Sequence, residues 1–327
     1  MYPLVSVLVP AYNSEKYIQN CLNSIMKQTY EKLEILVLND GSTDETGLII
    51  DEIAKKDSRI KVIHKENQGV AAARNELLEA SNGELILQVD ADDYISFNAV
   101  DILLRNLEEA DADLSVGISV MGKETDYAFP VVDKPDIQIF SGDGKFKKLF
   151  DEDKFDFISP CEKLYKKTLF KDLKYPVGRI HEDEYLAHLI LDRASKVVYS
   201  KIPILYYTVK EDSITRSSFS AKRLDCVQAL LERNNFFETK GNADILKLCY
   251  IDFLKRFQYF YYGMKYHYPE KKELISSLYD YYKDVYEKAS KQDMLSLSER
   301  VLFGLFLKNT WLNYQARKIL GKKAIDT

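Results

Sequence analysis

Four short polar clusters hold the residue types that bind nucleotides and cations: Ala11-Tyr12-Asn13, Asn39-Asp40-Gly41-Ser42, Glu66-Asn67-Gln68-Gly69 and Asp90-Ala91-Asp92-Asp93. Each follows an apolar run. In Asp90-Ala91-Asp92 two carboxylates one residue apart leave an extended backbone on the same side. That oxygen-only pair suits a hard divalent cation, Mg2+ or Mn2+, and such a cation could steady a departing diphosphate. Acidic turns after strands are common, so the triplet gains its weight from the other three clusters. Asp40 could accept a hydrogen bond from a pyrimidine ring, and Tyr12 offers a face on which a base can lie. Ser42 or Asp44 reads as the cap of the helix that follows. Arg74 could neutralise phosphate or reach the base, although an arginine on a helix is ordinarily solvated.

A second acidic group, His181-Glu182-Asp183-Glu184, opens a helical segment. Acidic residues suit a helix N-terminus through the macrodipole alone; the chemical alternative is a general base that takes a proton from a hydroxyl. Tyr185 stands where a zinc-binding HExxH motif would need histidine, which excludes a zinc protease.

These groups need a scaffold. Apolar runs at residues 5–9, 35–38, 60–63, 85–89 and 114–118 predict strands, and the segments at 15–28, 44–55, 70–79 and 99–107 predict intervening helices. Runs without strict alternation imply strands covered on both faces, and helical crossovers imply a largely parallel α/β sheet. In such a sheet ligands bind beyond the carboxyl ends of the strands, so the four clusters should meet in one crevice. After about residue 123 the pattern loosens. A short helix at 143–150, a strand-like stretch at 157–165, a helix at 182–191 and short strands at 197–199 and 204–208 are expected. From about residue 220 the chain reads as helical, at 224–237, 245–264, 271–289 and 298–320.

The chain has 327 residues, 46% hydrophobic and 30% charged, with a formal net charge of −5. This is ordinary for a protein with a packed core and argues against a nucleic-acid partner. Cys21, Cys161, Cys226 and Cys249 form no CxxC pair, so neither a zinc site nor a disulfide framework is expected. Cys21 shares a helix face with Ile18, Leu22 and Ile25 and reads as a buried thiol. With no basic leader and no run of ~18 apolar residues, a cytoplasmic protein is expected.

Taken in order, Val7-Leu8-Val9-Pro10-Ala11-Tyr12-Asn13, Leu38-Asn39-Asp40-Gly41-Ser42-Thr43-Asp44, Asn67-Gln68-Gly69 with Ala73-Arg74-Asn75, Asp90-Ala91-Asp92-Asp93 and Glu182-Asp183 resemble a family-2 glycosyltransferase of the bacterial surface-polysaccharide or teichoic-acid type. The resemblance is dense over residues 3–120 and thin to about 216. It implies a GT-A catalytic domain, an α/β nucleotide-diphospho-sugar transferase fold related to the Rossmann type, over residues 1–218, with an all-helical extension at 219–327. It further implies a UDP-sugar donor. Pro10, Ala11, Tyr12, Asn13 and Asp40 would lie at the uridine, with Asn67 and Arg74 nearby, Asp90 and Ala91 at the ribose, and Asp92 on Mn2+ or Mg2+. Asp183, in its pair with Glu182, matches the catalytic base, and Lys210 and Ser213 fall in the segment that closes over the diphosphate. Many relatives have arginine where this chain has Lys210, which lacks the bidentate fork.

The implied reaction is a single displacement at the anomeric carbon, with a glycan or lipid-linked hydroxyl as acceptor. A stripe at Val301–Leu307, followed by Lys308, Trp311, Arg317, Lys318, Lys322 and Lys323, could rest on an anionic membrane face or dock on the rest of the chain. A homodimer is compatible with the sequence. The main rival is a nucleotide-sugar-binding regulatory or scaffold protein without turnover; intact carboxylates argue against it. No GxGxxG follows the first strand and no GxxxxGK[ST] occurs, which argues against a dehydrogenase or a P-loop enzyme.

Overall fold

Residues 5–11 and 33–40 are buried at every position, because each strand is apolar on both faces and lies inside a sheet flanked by helices. A computed structural model describes residues 2–123, 127–132, 136–209 and 219–319. The chain packs as two compact units, Met1–Ser213 and Ile214–Thr327.

The first unit runs β1 (Val5–Ala11), α1 (Ile18–Met26), β2 (Leu33–Asp40), α2 (Thr46–Ala54), β3 (Ile60–Lys65), α3 (Val70–Ala80), β4 (Leu85–Gln88), β5 (Tyr94–Ile95) and α4 (Ala99–Glu109). It continues with β6 (Leu114–Gly122), β7 (Ile137–Ser141), α5 (Asp143–Lys147), α6 (Lys154–Ile158), β8 (Lys163–Lys166), α7 (Glu182–Arg193) and β9 (Lys196–Thr208). The sheet order is β3-β2-β1-β4-β8-β6-β9-β5, with β7 also on β9. The expected parallel arrangement holds for β3, β2, β1 and β4. Beyond them it holds again for β6 and β9, but β8 is antiparallel to both β4 and β6, and β5 and β7 are antiparallel to β9. The sheet is therefore mixed.

Three local expectations also differ. Residues 154–158 form α6, so only the end of the predicted 157–165 strand is extended, as β8. The two short strands at 197–199 and 204–208 are one strand, β9. Pro203 lies in it opposite Ile118, where the register with β6 slips, so its missing N–H falls at an irregularity. Finally, β7 arises where only irregular chain was expected.

Helix α1 buries Ile18, Cys21, Leu22 and Ile25, the face expected from their spacing. All four cysteines are buried and free. The Cys21 Sγ lies 3.5 Å from the Asp90 carbonyl, and burial, then the charges of Asp93, Asp92 and Asp90, push its thiol pKa up, leaving it inert.

The second unit holds α8 (Leu224–Lys240), α9 (Ala243–His267), α10 (Lys272–Lys291), α11 (Leu297–Lys308) and α12 (Thr310–Ile319). Its core is aromatic: the Phe306 ring lies 4.3 Å from Tyr282 and 4.9 Å from Tyr261 between centroids. The helix expected over 298–320 is broken at Asn309, whose side chain accepts from the Leu312 N–H at 3.0 Å and starts α12.

Candidate active site

Strand register puts the polar clusters at one sheet edge. Ala11 pairs with Asn39, Asp40 with Lys65 and Leu8 with Gln88, so the loops after β1, β2, β3 and β4 leave from the same side. Hydrogen bonds then lace them together in sequence.

The β1 loop is tied to the β2 loop. Asn13, at φ +46, donates its N–H to Ser42 Oγ at 3.0 Å and accepts the Thr43 N–H at 2.9 Å. Ser14 N–H reaches Thr46 Oγ1 at 2.7 Å, and Asp44 accepts the Thr46 and Glu15 N–H groups. Ser42 is thus a loop tie, not a helix cap, whereas Asp44, one residue before the Glu45 N-cap position, satisfies the N–H of Thr46 in the first turn of α2. These bonds leave Tyr12 half exposed, its ring available as a platform. Pro10 and Ala11 are buried and can offer only main chain.

The β2 loop is tied to the β3 loop through Asp40. Its Oδ1 accepts the Gln68 N–H at 3.0 Å and its Oδ2 the Gly69 N–H at 2.8 Å, with the carboxylate 2% exposed. The carboxylate expected at a pyrimidine thus first shapes the wall that a base would meet; each oxygen keeps a second lone pair. Gly41 makes this fit possible. It sits at φ +68, and a Cβ there would lie 2.6 Å from the Asn67 nitrogen. Asn67 itself is exposed.

Arg74 joins α3 to the two acidic groups. Its Nη2 donates to Asp90 Oδ1 at 2.7 Å, its Nη1 to Glu182 Oε1, and its Cζ lies 5.7 Å from the centre of the Tyr175 ring. The guanidinium is 3% exposed. It is therefore not the solvated arginine of the sequence reading. As it stands it is the pin between the acidic loop and the start of α7. Next to it, Asn75 brackets the Tyr175 main chain, donating to its carbonyl at 2.9 Å and accepting its N–H at 2.8 Å. Tyr175 Oη accepts from Gln88 Nε2 at 3.0 Å. Two successive residues of α3 thereby fix the chain that leads into α7.

In the acidic loop Asp90 and Asp92 are half-buried, Ala91 is buried, and Asp93 is buried. Asp93 Oδ1 accepts the Thr208 N–H at 2.9 Å, tying the end of β9 to this loop. Burial, followed by the charges of Asp92 and Asp90, pushes the Asp93 carboxyl up. Among the described residues no three His, Cys, Asp or Glu side chains gather into a closed metal cage. The donor set fits a cation that takes one or two carboxylate oxygens here and completes its shell with water and phosphate, as Mg2+ and Mn2+ do.

At the α7 N-terminus the two carboxylates have different surroundings. Glu182 is committed to Arg74. Asp183 Oδ1 accepts the Glu184 N–H at 2.9 Å, and the side chain is half-buried. Burial, then the charges of Glu182 and Glu184, lift its pKa to about 7 against the pull of Arg74. A carboxylate at that value is poised to take a proton near neutral pH. His181, at φ +58, makes the sharp entry to the helix.

Of the residues expected at the site, Pro10, Ala11, Tyr12, Asn13, Asp40, Asn67, Asp90, Ala91 and Asp92 lie on the carboxyl ends of β1, β2, β3 and β4 or the loops that follow, and Arg74 in α3 ties them to Glu182, the neighbour of Asp183, at the start of α7. Lys210 and Ser213 lie outside the described residues. Of three supporting residues, one, Asp93, was named within its cluster without a role, and two escaped sequence reasoning. Asp93 and Tyr175 are described above, and Glu162 is wholly buried against Lys163 Nζ at 3.4 Å and Ser159 Oγ at 3.2 Å. Burial lifts the Glu162 carboxyl to about 7. Asp93 was signalled by its place after the triplet; Tyr175 and Glu162 carry no local signal.

The sequence model of glycosyl transferase family 2 matches residues 6–174. The chain is 34% identical over 283 residues to glycosyltransferase GlyG of Streptococcus pneumoniae serotype 4, covering 79% of this chain and 89% of that protein. It is also 34% identical over 243 residues to glycosyltransferase GlyA of the same organism, where the match spans 35% of the relative's length. In three dimensions it is similar to S. aureus TarS 1–349 in complex with UDP-GlcNAc, with TM-score 0.75 and 23% identity over 98% of this chain and 92% of that one. It is similar also to the mannosyltransferase PcManGT of Pyrobaculum calidifontis in complex with GDP-Man and Mn2+, with TM-score 0.55 and 17% identity over 99% and 89%. These likenesses establish the GT-A fold.

Proposed function

The chain belongs to glycosyl transferase family 2, and on that premise we propose that it moves a hexose-type sugar, with inversion, from a UDP-sugar to a hydroxyl of a glycan or lipid-linked acceptor. The reading places this metal-dependent step in the synthesis of a cell-surface polysaccharide. Residues 1–218 form its catalytic domain and 219–327 its helical extension. One observation carries it: Arg74 binds Asp90 and Glu182 together, which ties the acidic loop to the start of α7, where Asp183 has a carboxyl near pKa 7.

In the proposed mechanism Tyr12 stacks on the uracil ring and the Asp40-shaped wall meets its edge. Asp90 keeps one oxygen on Arg74 and turns the other toward the ribose. Asp92 would hold Mn2+ or Mg2+, which when bound neutralises the diphosphate and makes it a better leaving group. Asp183 accepts the proton of the acceptor hydroxyl. The hydroxyl oxygen forms its bond to the anomeric carbon as the bond from that carbon to the phosphate oxygen breaks, and UDP leaves with the electron pair. An oxocarbenium-like charge develops on the ring, as in glycoside hydrolysis. A single displacement turns an α-linked donor into a β-linked product. Glu182 acts as a positioning residue because its carboxylate is already engaged.

The TarS structure is a complex with UDP-GlcNAc and that of PcManGT a complex with GDP-Man and Mn2+, so the first supports the uridine assignment and the second names its rival. The test is nucleotide release from a panel of UDP- and GDP-sugars with Mn2+ and a surface-polysaccharide acceptor. Release of UDP alone is expected; release of GDP alone would overturn the donor assignment.

A further inference from the structure

Asn39 precedes Asp40 at the end of β2 and is 8% exposed. Side chains alternate across a strand, so it leaves the face opposite Asp40. It lies under α2, where a Cβ on Gly47 would stand 2.8 Å from its Nδ2. Its Oδ1 accepts the Ser42 N–H at 3.1 Å, and its Nδ2 meets His64 Nδ1 of β3 at 3.1 Å. His64 Nε2 in turn lies 3.0 Å from Asp51 Oδ1 of α2. One donor fixes every orientation along this chain of bonds. A backbone N–H can only donate, so the amide oxygen faces Ser42 and the NH2 group faces His64. Nδ1 must then be a bare acceptor, and the imidazole proton sits on Nε2 and points to Asp51. The arrangement requires a neutral His64.

The inner end of the chain reaches the crevice. Ser42 Oγ accepts the Asn13 N–H at 3.0 Å, and Asn13 Oδ1 accepts the Thr43 N–H at 2.9 Å. The Asn39–Ser42 bond thereby shapes the turn that holds the loop carrying Tyr12. The outer end reaches water, with the His64 and Asp51 side chains 46% and 48% exposed.

A histidine changes charge between about pH 5 and 8. Asp51 faces His64 and favours its cation. Other charges on the elements around it are engaged elsewhere: Glu52 with Lys55, Lys61 with Glu34, Lys65 with Glu76, and Asp40 with the Gln68 and Gly69 N–H groups. Protonation of His64 sets Nδ1–H against the Asn39 NH2, two donors face to face beneath α2. A buried donor without an acceptor is costly. The amide must turn over, which gives His64 its acceptor and sets NH2 against the Ser42 N–H.

We propose that His64 and Asn39 are positioning residues that tie the donor-nucleotide loops to pH: neutral His64 holds the Ser42 turn in its binding shape, and protonated His64 releases it. The inference rests on the reading of this crevice as the donor site. It acts on nucleotide affinity, because the chain of bonds ends on the loop that carries Tyr12.

Two readouts test it, with melting curves to show that each variant is folded. In the free protein, the 15N resonances of the Ser42 amide and the Asn39 side chain should move together as His64 titrates. His64→Gln should remove that movement, since glutamine offers Asn39 an acceptor and Asp51 a donor at every pH. In calorimetry with Mn2+, UDP affinity should fall about fivefold more in the parent than in His64→Gln as pH drops from about 8 to about 5.5, the worth of one lost hydrogen bond. Asn39→Asp should show the opposite trend, because a carboxylate accepts both the Ser42 N–H and the Nδ1–H of the imidazolium. Parallel affinity profiles for the parent and His64→Gln would overturn the proposal, as would a Ser42 resonance indifferent to the titration of His64. Failure to bind UDP at any pH would instead overturn the donor reading, and the free-protein resonances would still decide whether His64 sets the turn.

Discussion

Replacing Asp183 with asparagine should inactivate the protein and stabilise it. The stability sign follows from the raised carboxyl. Its pKa is 3.8 unfolded and about 7 folded, so between those values the native state holds more proton than the unfolded chain. Stability is then intact below the unfolded value and declines as pH rises through about 7. At about 1.4 kcal/mol per pH unit the penalty at pH 8 has an upper limit of about 4 kcal/mol. Asp183 keeps some solvent contact, which screens the charge and brings the expected figure to about 1–2 kcal/mol. Asparagine retains the oxygen that accepts the Glu184 N–H and removes only the charge. Melting at pH 8 should therefore rise by roughly 3–6 °C in the variant, and the gap should close below about pH 4. Turnover should fall about 10²–10⁴-fold with donor binding retained. A variant that melts lower at pH 8, or keeps near-normal turnover, would refute the assignment of Asp183.

Three other perturbations test the scaffold of the site. Arg74→Met strands the Asp90 and Glu182 carboxylates, costing about 3 kcal/mol by thermal melting, and moves the rising limb of the pH–rate profile to higher pH because Arg74 holds the Asp183 pKa down. Glu182→Gln should move that limb the other way, since the Glu182 charge raises the same pKa. Gly41→Ala forces a side chain into a left-handed backbone, 2.6 Å from the Asn67 nitrogen, and should cost about 1–3 kcal/mol, with UDP affinity in calorimetry weakened as the Asp40–Gly69 contact opens.

Much of this site was legible because its parts are local. A continuous apolar run names a buried strand, and a polar tip at its carboxyl end follows from sheet geometry, which is why Asp40, Asn67 and Asp92 could be placed before any coordinates. What escaped was non-local or cooperative. Arg74 reads as a solvated helix residue because its partner Glu182 is 108 positions away. The splitting of Glu182 and Asp183 into a pinned and a poised carboxylate depends on that contact, which neither residue type reveals. Strand β5 is only Tyr94–Ile95 and lives by pairing with β9. The sequence predicts separate strands at 197–199 and 204–208, whereas one strand runs through Pro203, which a register slip absorbs. The antiparallel entry of β8 depends on where α6 ends, and no hydrophobic period encodes that.

The most direct measurement is calorimetric titration of UDP into the full chain with and without Mn2+, beside the Asp92→Ala variant. The account predicts tight binding with Mn2+, a marked loss without it, and no metal effect in the variant. Equal, metal-responsive binding by the variant and the parent would contradict it.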